Sequence, residues 1–188
     1  MDENELGPKL VNILYENTNM NYDVCAENLI KVFTYLEINN EKLELKNFKK
    51  ILDSMKNSIS DPKINPDFKK LDEYFCFLEN IKEELKSGDS NYLDYEDKLE
   101  NVLQNIQNTL GDRCSLKNFS NYFSLNRDFT LTLYEIWKLS SNNRLKCSLI
   151  QLLTIIFYSD SVLIEILHLN TNIILDLCFN LKEQIKLI

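Results

Sequence analysis

Glycine and proline are scarce in this sequence, three of each in 188 residues. A β-sandwich or barrel turns its chain every ten residues or so and draws on both for its turns, so this shortage argues against those folds. The three glycines, Gly7, Gly88 and Gly111, stand far apart, which leaves no glycine loop to cradle a phosphate. Histidine occurs once, as His168, and alanine is nearly absent while Asn, Lys and Ile abound. We read that bias as base composition rather than chemistry. Five cysteines (Cys25, Cys76, Cys114, Cys147, Cys178) are odd in number, scattered among apolar neighbours, and form no CxxC pair. They fit free thiols packed as small hydrophobes in a reducing compartment, with neither a disulfide framework nor a zinc site.

The first residues, MDENELGPKL, are acidic and lack the basic and apolar regions of a signal peptide. The most apolar stretch, residues 145–158, contains Lys146 and Gln151 and stops at Asp160. It is shorter than the roughly 20 apolar residues that cross a bilayer. These features predict a cytoplasmic protein with no membrane insertion. Net charge is −8 and unevenly placed. Residues 1–100 carry 13 Lys/Arg against 22 Asp/Glu, a net −9, and residues 101–188 carry 8 against 7, a net +1. An acidic first half disfavours nucleic acid, whose phosphates need a basic face, and would suit a basic patch on another protein. The plainer account is extra solvated helix surface.

What is present is helical periodicity: apolar residues recur at intervals of three and four nearly throughout. A first helix is expected from Pro8, with Leu10, Val11, Leu14 and Tyr15 on one face. A second runs from about Tyr22 with Val24, Leu29, Val32, Phe33 and Leu36 inward, and a third carries Leu43, Leu45, Phe48, Ile51, Leu52 and Met55. The segment 58–66, with two prolines, is the clearest loop. Helices are then expected over 68–86, 92–110 (ended by Gly111), 115–124 and 128–139. Three more follow, capped by Asn142, by Asp160 and by Asn170 or Thr171. These last helices are apolar over most of their circumference and need cover on both sides. The expectation is all-α: one domain over 1–188, an irregular armadillo- or HEAT-like stack divisible at the loop into sub-lobes 1–58 and 67–188. The apolar ending IKLI looks like an uncapped stack. It predicts further helices beyond Ile188, or self-association through that end.

No constellation for catalysis emerges. His168, near the end of an apolar helix, reads as a structural residue rather than a base. Carboxylates such as Glu83-Glu84, or Asp94, Glu96 and Asp97, lie on solvated faces, and general acid–base work needs a carboxyl in a perturbed environment. The reading is therefore a non-enzyme, without cofactor or metal.

Two stretches are more specific. One is Asn17-Thr18-Asn19-Met20-Asn21-Tyr22-Asp23-Val24; the other runs from Tyr122-Phe123 to LKCSLIQLLTIIFYSDSVLIEIL, residues 145–167. Between them come Leu71, Phe75 and Leu78, then Tyr92, Asp94, Leu99 and Leu103. In order and spacing the chain resembles the first half of the leucine-rich helical domain of the Nck-interacting SH3-domain protein family, also called WISH/DIP. It departs at Gln151 and at Leu153-Thr154, where relatives carry Lys and Phe-Gly. The resemblance implies an armadillo-like domain that binds and activates the actin-related protein 2/3 complex, seeding linear actin filaments without a pre-existing one. It would do so by favouring the active arrangement of that complex, as a cytoskeleton-associated protein. The candidate contact residues are Tyr134, Trp137, Lys138, Arg144 and Lys146, where acidic charge gives way to neutral. Two other classes fit the same composition. One is a generic helical-repeat adaptor, since fold does not fix function. The other is a lipid-binding bundle, which needs an enclosed apolar cavity above about 300 Å³.

Overall fold

The computed structural model describes residues 3–39, 46–87, 92–111, 119, 122–123 and 125–159. Leu43, Leu45, His168, the helices expected after Asp160 and Asn170, and the ending at Ile188 lie outside the described residues. Seven α-helices and no strand occur among the described residues. They are α1 (Glu3–Glu16), α2 (Tyr22–Asn39), α3 (Lys46–Ile59), α4 (Pro66–Ser87), α5 (Tyr92–Leu110), α6 (Arg127–Leu139) and α7 (Asn143–Ser159). The chain is all-α. It divides into two compact units: Met1–Tyr74 with Asn108–Phe119, and Phe75–Gln107 with Ser120–Ile188.

In the first unit α1, α2 and α3 close around Val11, Tyr22, Cys25, Ala26, Ile51 and Met55. Gly7 is what lets α1 approach α3. A Cβ there would lie 2.2 Å from Ser54 Oγ and 2.7 Å from the Ile51 carbonyl oxygen, so any side chain would force the helices apart. The first helix begins at Glu3, a turn before the expected Pro8, which sits inside it. Proline costs a helix one amide bond, and the buried Gly7-Pro8 packing outweighs that loss. Val32, expected to point inward, is 54% exposed, as are Tyr35 (67%) and Ile38 (73%). Leu29, Ile30 and Phe33 pack on the core instead. With apolar residues on both sides of α2, periodicity alone cannot say which side is buried.

The loop between α3 and α4 is held shut by one side chain. Asn65 Nδ2 donates to the Ile59 carbonyl at 2.7 Å, and its Oδ1 accepts the Asp67 amide at 2.9 Å. The end of α3 and the start of α4 are thereby tied together, with Pro66 at the first helical position. The first of the two units runs on from this loop to Tyr74, within α4.

Asp67, 1% exposed, gathers the first unit. Its Oδ2 accepts the Tyr22 amide at 2.9 Å, and Oδ1 accepts the Tyr15 hydroxyl at 2.8 Å, with Lys70 Nζ 3.3 Å away. The Tyr22 hydroxyl, also buried, donates to Ser58 Oγ at 3.1 Å. Asn21 Nδ2 donates to the carbonyls of Asn108 (2.9 Å) and Thr109 (3.3 Å), satisfying the last turn of α5. Gly111, at φ 65°, then ends that helix as anticipated.

In the second unit Phe75, Tyr122, Phe123 and Phe129 form an aromatic cluster, with Phe75 and Phe129 stacked at 5.4 Å and Phe123 set edge-on to Phe129 at 5.5 Å. Leu78, Ile81, Leu99, Leu103, Leu133, Ile136, Leu149, Leu152 and Ile156 complete the core.

Two outcomes follow from the Asp67 centre. Asp67→Ala strands the Tyr22 amide and the Tyr15 hydroxyl, and should cost about 3 kcal/mol in urea unfolding; a loss within experimental error would refute the centre's role. Burial pushes both the Tyr15 and Tyr22 phenols above the usual 10.0, the Ser58 bond opposing it only in part at Tyr22. A raised phenol means stability that is present below about pH 10 and lost as pH climbs past it. Tyr22→Phe should therefore show a smaller loss of unfolding midpoint between pH 8 and pH 11 than the native chain, and equal losses would contradict the assignment.

Candidate functional site

The α6–α7 corner is built by two small polar residues. The Ser140 amide closes α6 on the Ile136 carbonyl at 2.8 Å, and Ser140 Oγ accepts the Asn142 amide at 3.2 Å. Asn142 Oδ1 then accepts the amides of Arg144 (2.9 Å) and Leu145 (3.3 Å), capping α7 as the sequence leads one to expect. Asn142 Nδ2 donates to Glu96 Oε2 on α5 at 2.8 Å, which anchors the corner.

This turn brings three of the five candidates together. The rings of Tyr134 and Trp137 stack at 5.9 Å and 21°, and Lys146 Nζ lies 5.5 Å from the Trp137 ring centre. The result is a ladder of aromatic, aromatic and cation. Trp137 is only 2% exposed, so it supports the ladder from within and offers no surface for direct contact. Its Nε1 is buried without a hydrogen-bond acceptor among the described residues. Tyr134 and Lys146 are half-buried and Lys138 is exposed. Arg144 is directed elsewhere: its side chain is 80% exposed and its Nη2 meets Glu100 Oε1 on α5 at 2.8 Å. The corner thus shows a cationic, aromatic edge with the tryptophan as its floor.

Sequence reasoning missed a groove on another side of α6. It measures about 390 Å³ and is lined by Phe75, Glu79 and Lys82 of α4 and by Asp128, Leu131, Thr132 and Glu135 of α6. Its floor is an internal bond set: Lys82 Nζ meets both Glu79 oxygens at 2.7 and 2.8 Å, and the Thr132 hydroxyl donates to Glu79. Partial burial alone would raise the Glu79 carboxyl, but Lys82 and Thr132 outweigh it and hold the group below its usual range. On the rim Lys86 pairs with Glu135 Oε2 at 2.9 Å, and this bond raises the Lys86 ammonium. The signal was present in the spacing Asp128, Leu131, Thr132, Glu135, which repeats at i, i+3, i+4 and i+7.

A second groove of about 380 Å³, in the first unit, is bordered by Pro8, Lys50, Asp53, Ser54, Asn57 and Ile64. Both are open and partly polar, unlike the closed apolar chamber a lipid bundle requires. Among the described residues no three His, Cys, Asp or Glu side chains gather as a metal site, and no helix is long and apolar enough to cross a membrane.

No protein-family model matches the chain, and neither a curated protein nor a solved structure matches it.

Trp137 is the one tryptophan, so its fluorescence reports on the corner directly. Its emission should be blue-shifted and protected from acrylamide in the native chain. Lys146→Met should alter that emission while costing only about 0.5–1 kcal/mol of stability. A red-shifted, freely quenched signal from the native chain would rule out the ladder.

Proposed function

We propose that this chain is an armadillo-like protein-binding module whose partner is the actin-related protein 2/3 complex, and that it promotes seeding of linear actin filaments. The observation that supports binding is the α6–α7 edge. Tyr134, half-buried, stacks on Trp137 with Lys146 over the indole, and exposed Lys138 and Arg144 lie on the same two helices in a chain whose net charge is −8. Tyr and Arg at a rigid corner are the residue types that dominate protein interfaces, where large planar groups bury area at little entropic cost. Asn142 and the Trp137 floor supply the rigidity. The choice of partner rests on the resemblance of the two stretches described above.

One observation favours a second reading, a helical adaptor unconnected with actin. In the stretch Asn17–Val24, Asn21 closes α5 and Tyr22 binds Asp67, while Thr18 Oγ1 accepts the Met20 amide at 3.4 Å and donates to the Leu14 carbonyl at 2.9 Å. These bonds account for the stretch by folding alone, so it speaks for a shared architecture rather than for a shared partner.

Bulk actin assembly with the purified complex, in the absence of preformed filaments, separates the readings. Under the first, the chain accelerates assembly into unbranched filaments, and the Lys138→Glu/Arg144→Glu variant lowers the rate several-fold. Retention of the complex on immobilised chain without acceleration would reduce the role to capture. Neither acceleration nor retention would remove actin from the proposal and leave the adaptor.

A further inference from the structure

The groove between α4 and α6 has no part in the corner just described, and its chemistry points to a different kind of occupant. Of its charged lining residues three are acidic (Glu79, Asp128, Glu135) and one is basic, Lys82. Lys82 and Glu79 are engaged with each other on the floor. Asp128 is exposed and has no ion-pair partner among the described residues. The Glu135 side chain is 44% exposed and is met by Lys86, itself 45% exposed and shared with Glu83 at 3.5 Å. An ammonium that accessible can swing away when a competing cation arrives. Between the two rim acids lies apolar surface: Leu131 is 36% exposed, and Phe75 is half-buried with its ring against Phe129. Asp128 and Glu135 are seven residues apart on one helix, about 10 Å along its axis.

We infer that this groove docks an amphipathic helical segment of a partner protein, one that carries Lys or Arg a heptad apart with an aliphatic residue between them. The fit has three parts. The two cations would meet Asp128 and Glu135, whose separation is about two helical turns, one on either side of the contact. The aliphatic side chain would pack against the apolar lining of Phe75 and Leu131, in a volume suited to one side chain and not to a whole helix. The excess of acid over base would repel an acidic segment, which gives the groove a sign preference as well as a shape. A cation reaching Glu135 would exchange with Lys86, so docking captures two cations and releases one ammonium to solvent.

The test is selection from a random twelve-residue displayed peptide library on the full-length chain. A counter-selection uses Asp128→Lys/Leu131→Glu/Glu135→Lys, whose helicity is first checked by circular dichroism. Recovered peptides should be net positive, with an aliphatic residue between basic ones. The same peptides made synthetically should lose about tenfold in affinity to the milder Asp128→Asn/Glu135→Gln variant. Recovery of no peptides, of peptides without basic excess, or of peptides that bind both variants as well as the native chain would overturn the proposal. So would self-association of the native chain that the triple variant abolishes, because the groove would then belong to a second copy.

Discussion

The Asp67 carboxylate sits where the amino ends of two helices meet. It belongs to the first turn of α4, and it also accepts the Tyr22 amide that opens α2. Both ends carry the partial positive charge of unsatisfied amides, which a negative group stabilises. A charge that is 1% exposed would be costly by itself, since burial without partners is opposed by several kcal/mol. Three donors from three helices make it tolerable: Tyr15 of α1, Tyr22 of α2 and Lys70 of α4. The arrangement therefore fixes how those helices meet. Nonpolar packing at Val11, Ala26 and Met55 supplies cohesion but tolerates sliding, whereas a carboxylate with directed donors does not.

Features governed by local chemistry were legible in the sequence. Gly111 ends α5 because a left-handed residue is needed there and only glycine adopts it cheaply. Asn142 opens α7 because its short side chain reaches the two amides beyond it. Features set by tertiary contact were not. Gly7 looks like any isolated glycine until Ser54 and Ile51 are seen against it. Val32 lies at helical spacing from Leu29 and Leu36, and only the position of α1 and α3 decides which apolar side of α2 is covered. Asp67 had the composition of an ordinary first-turn acid, and its donors at Tyr15 and Tyr22 lie 52 and 45 residues away in sequence.

The candidate contact residues divide along the same line. Charge placement alone grouped Tyr134, Trp137, Lys138, Arg144 and Lys146. Folding separates them into a ladder of three, an exposed Lys138, and an Arg144 committed to Glu100. Tryptophan is the residue most often invoked at interfaces, yet here its burial makes it the support on which the accessible groups rest. The groove residues escaped notice for the converse reason. Glu79, Asp128 and Glu135 each look like part of a solvated face, and only the packing of α4 on α6 makes an open groove of them.

Helix α6 is therefore committed on several sides at once. Phe129, Leu133, Ile136 and Trp137 are buried, Tyr134 and Lys138 sit at the corner with α7, and Asp128, Leu131 and Glu135 border the groove. Thirteen residues carry a cationic edge and an acidic one around a single apolar stripe. The helix cannot rotate to strengthen one edge without withdrawing the other, because the stripe is held by the stacking of Phe129 on Phe75 of α4 and by Lys146 of α7 over Trp137. Glu135 and Lys138 lie less than one turn apart along the helix, so opposite charges are presented within about 5 Å of axial rise. Two ligands of opposite sign would each leave the other's contact residues in place, since neither set is shared. Their coupling would have to pass through the buried stripe, whose tight aromatic packing gives it little freedom to respond.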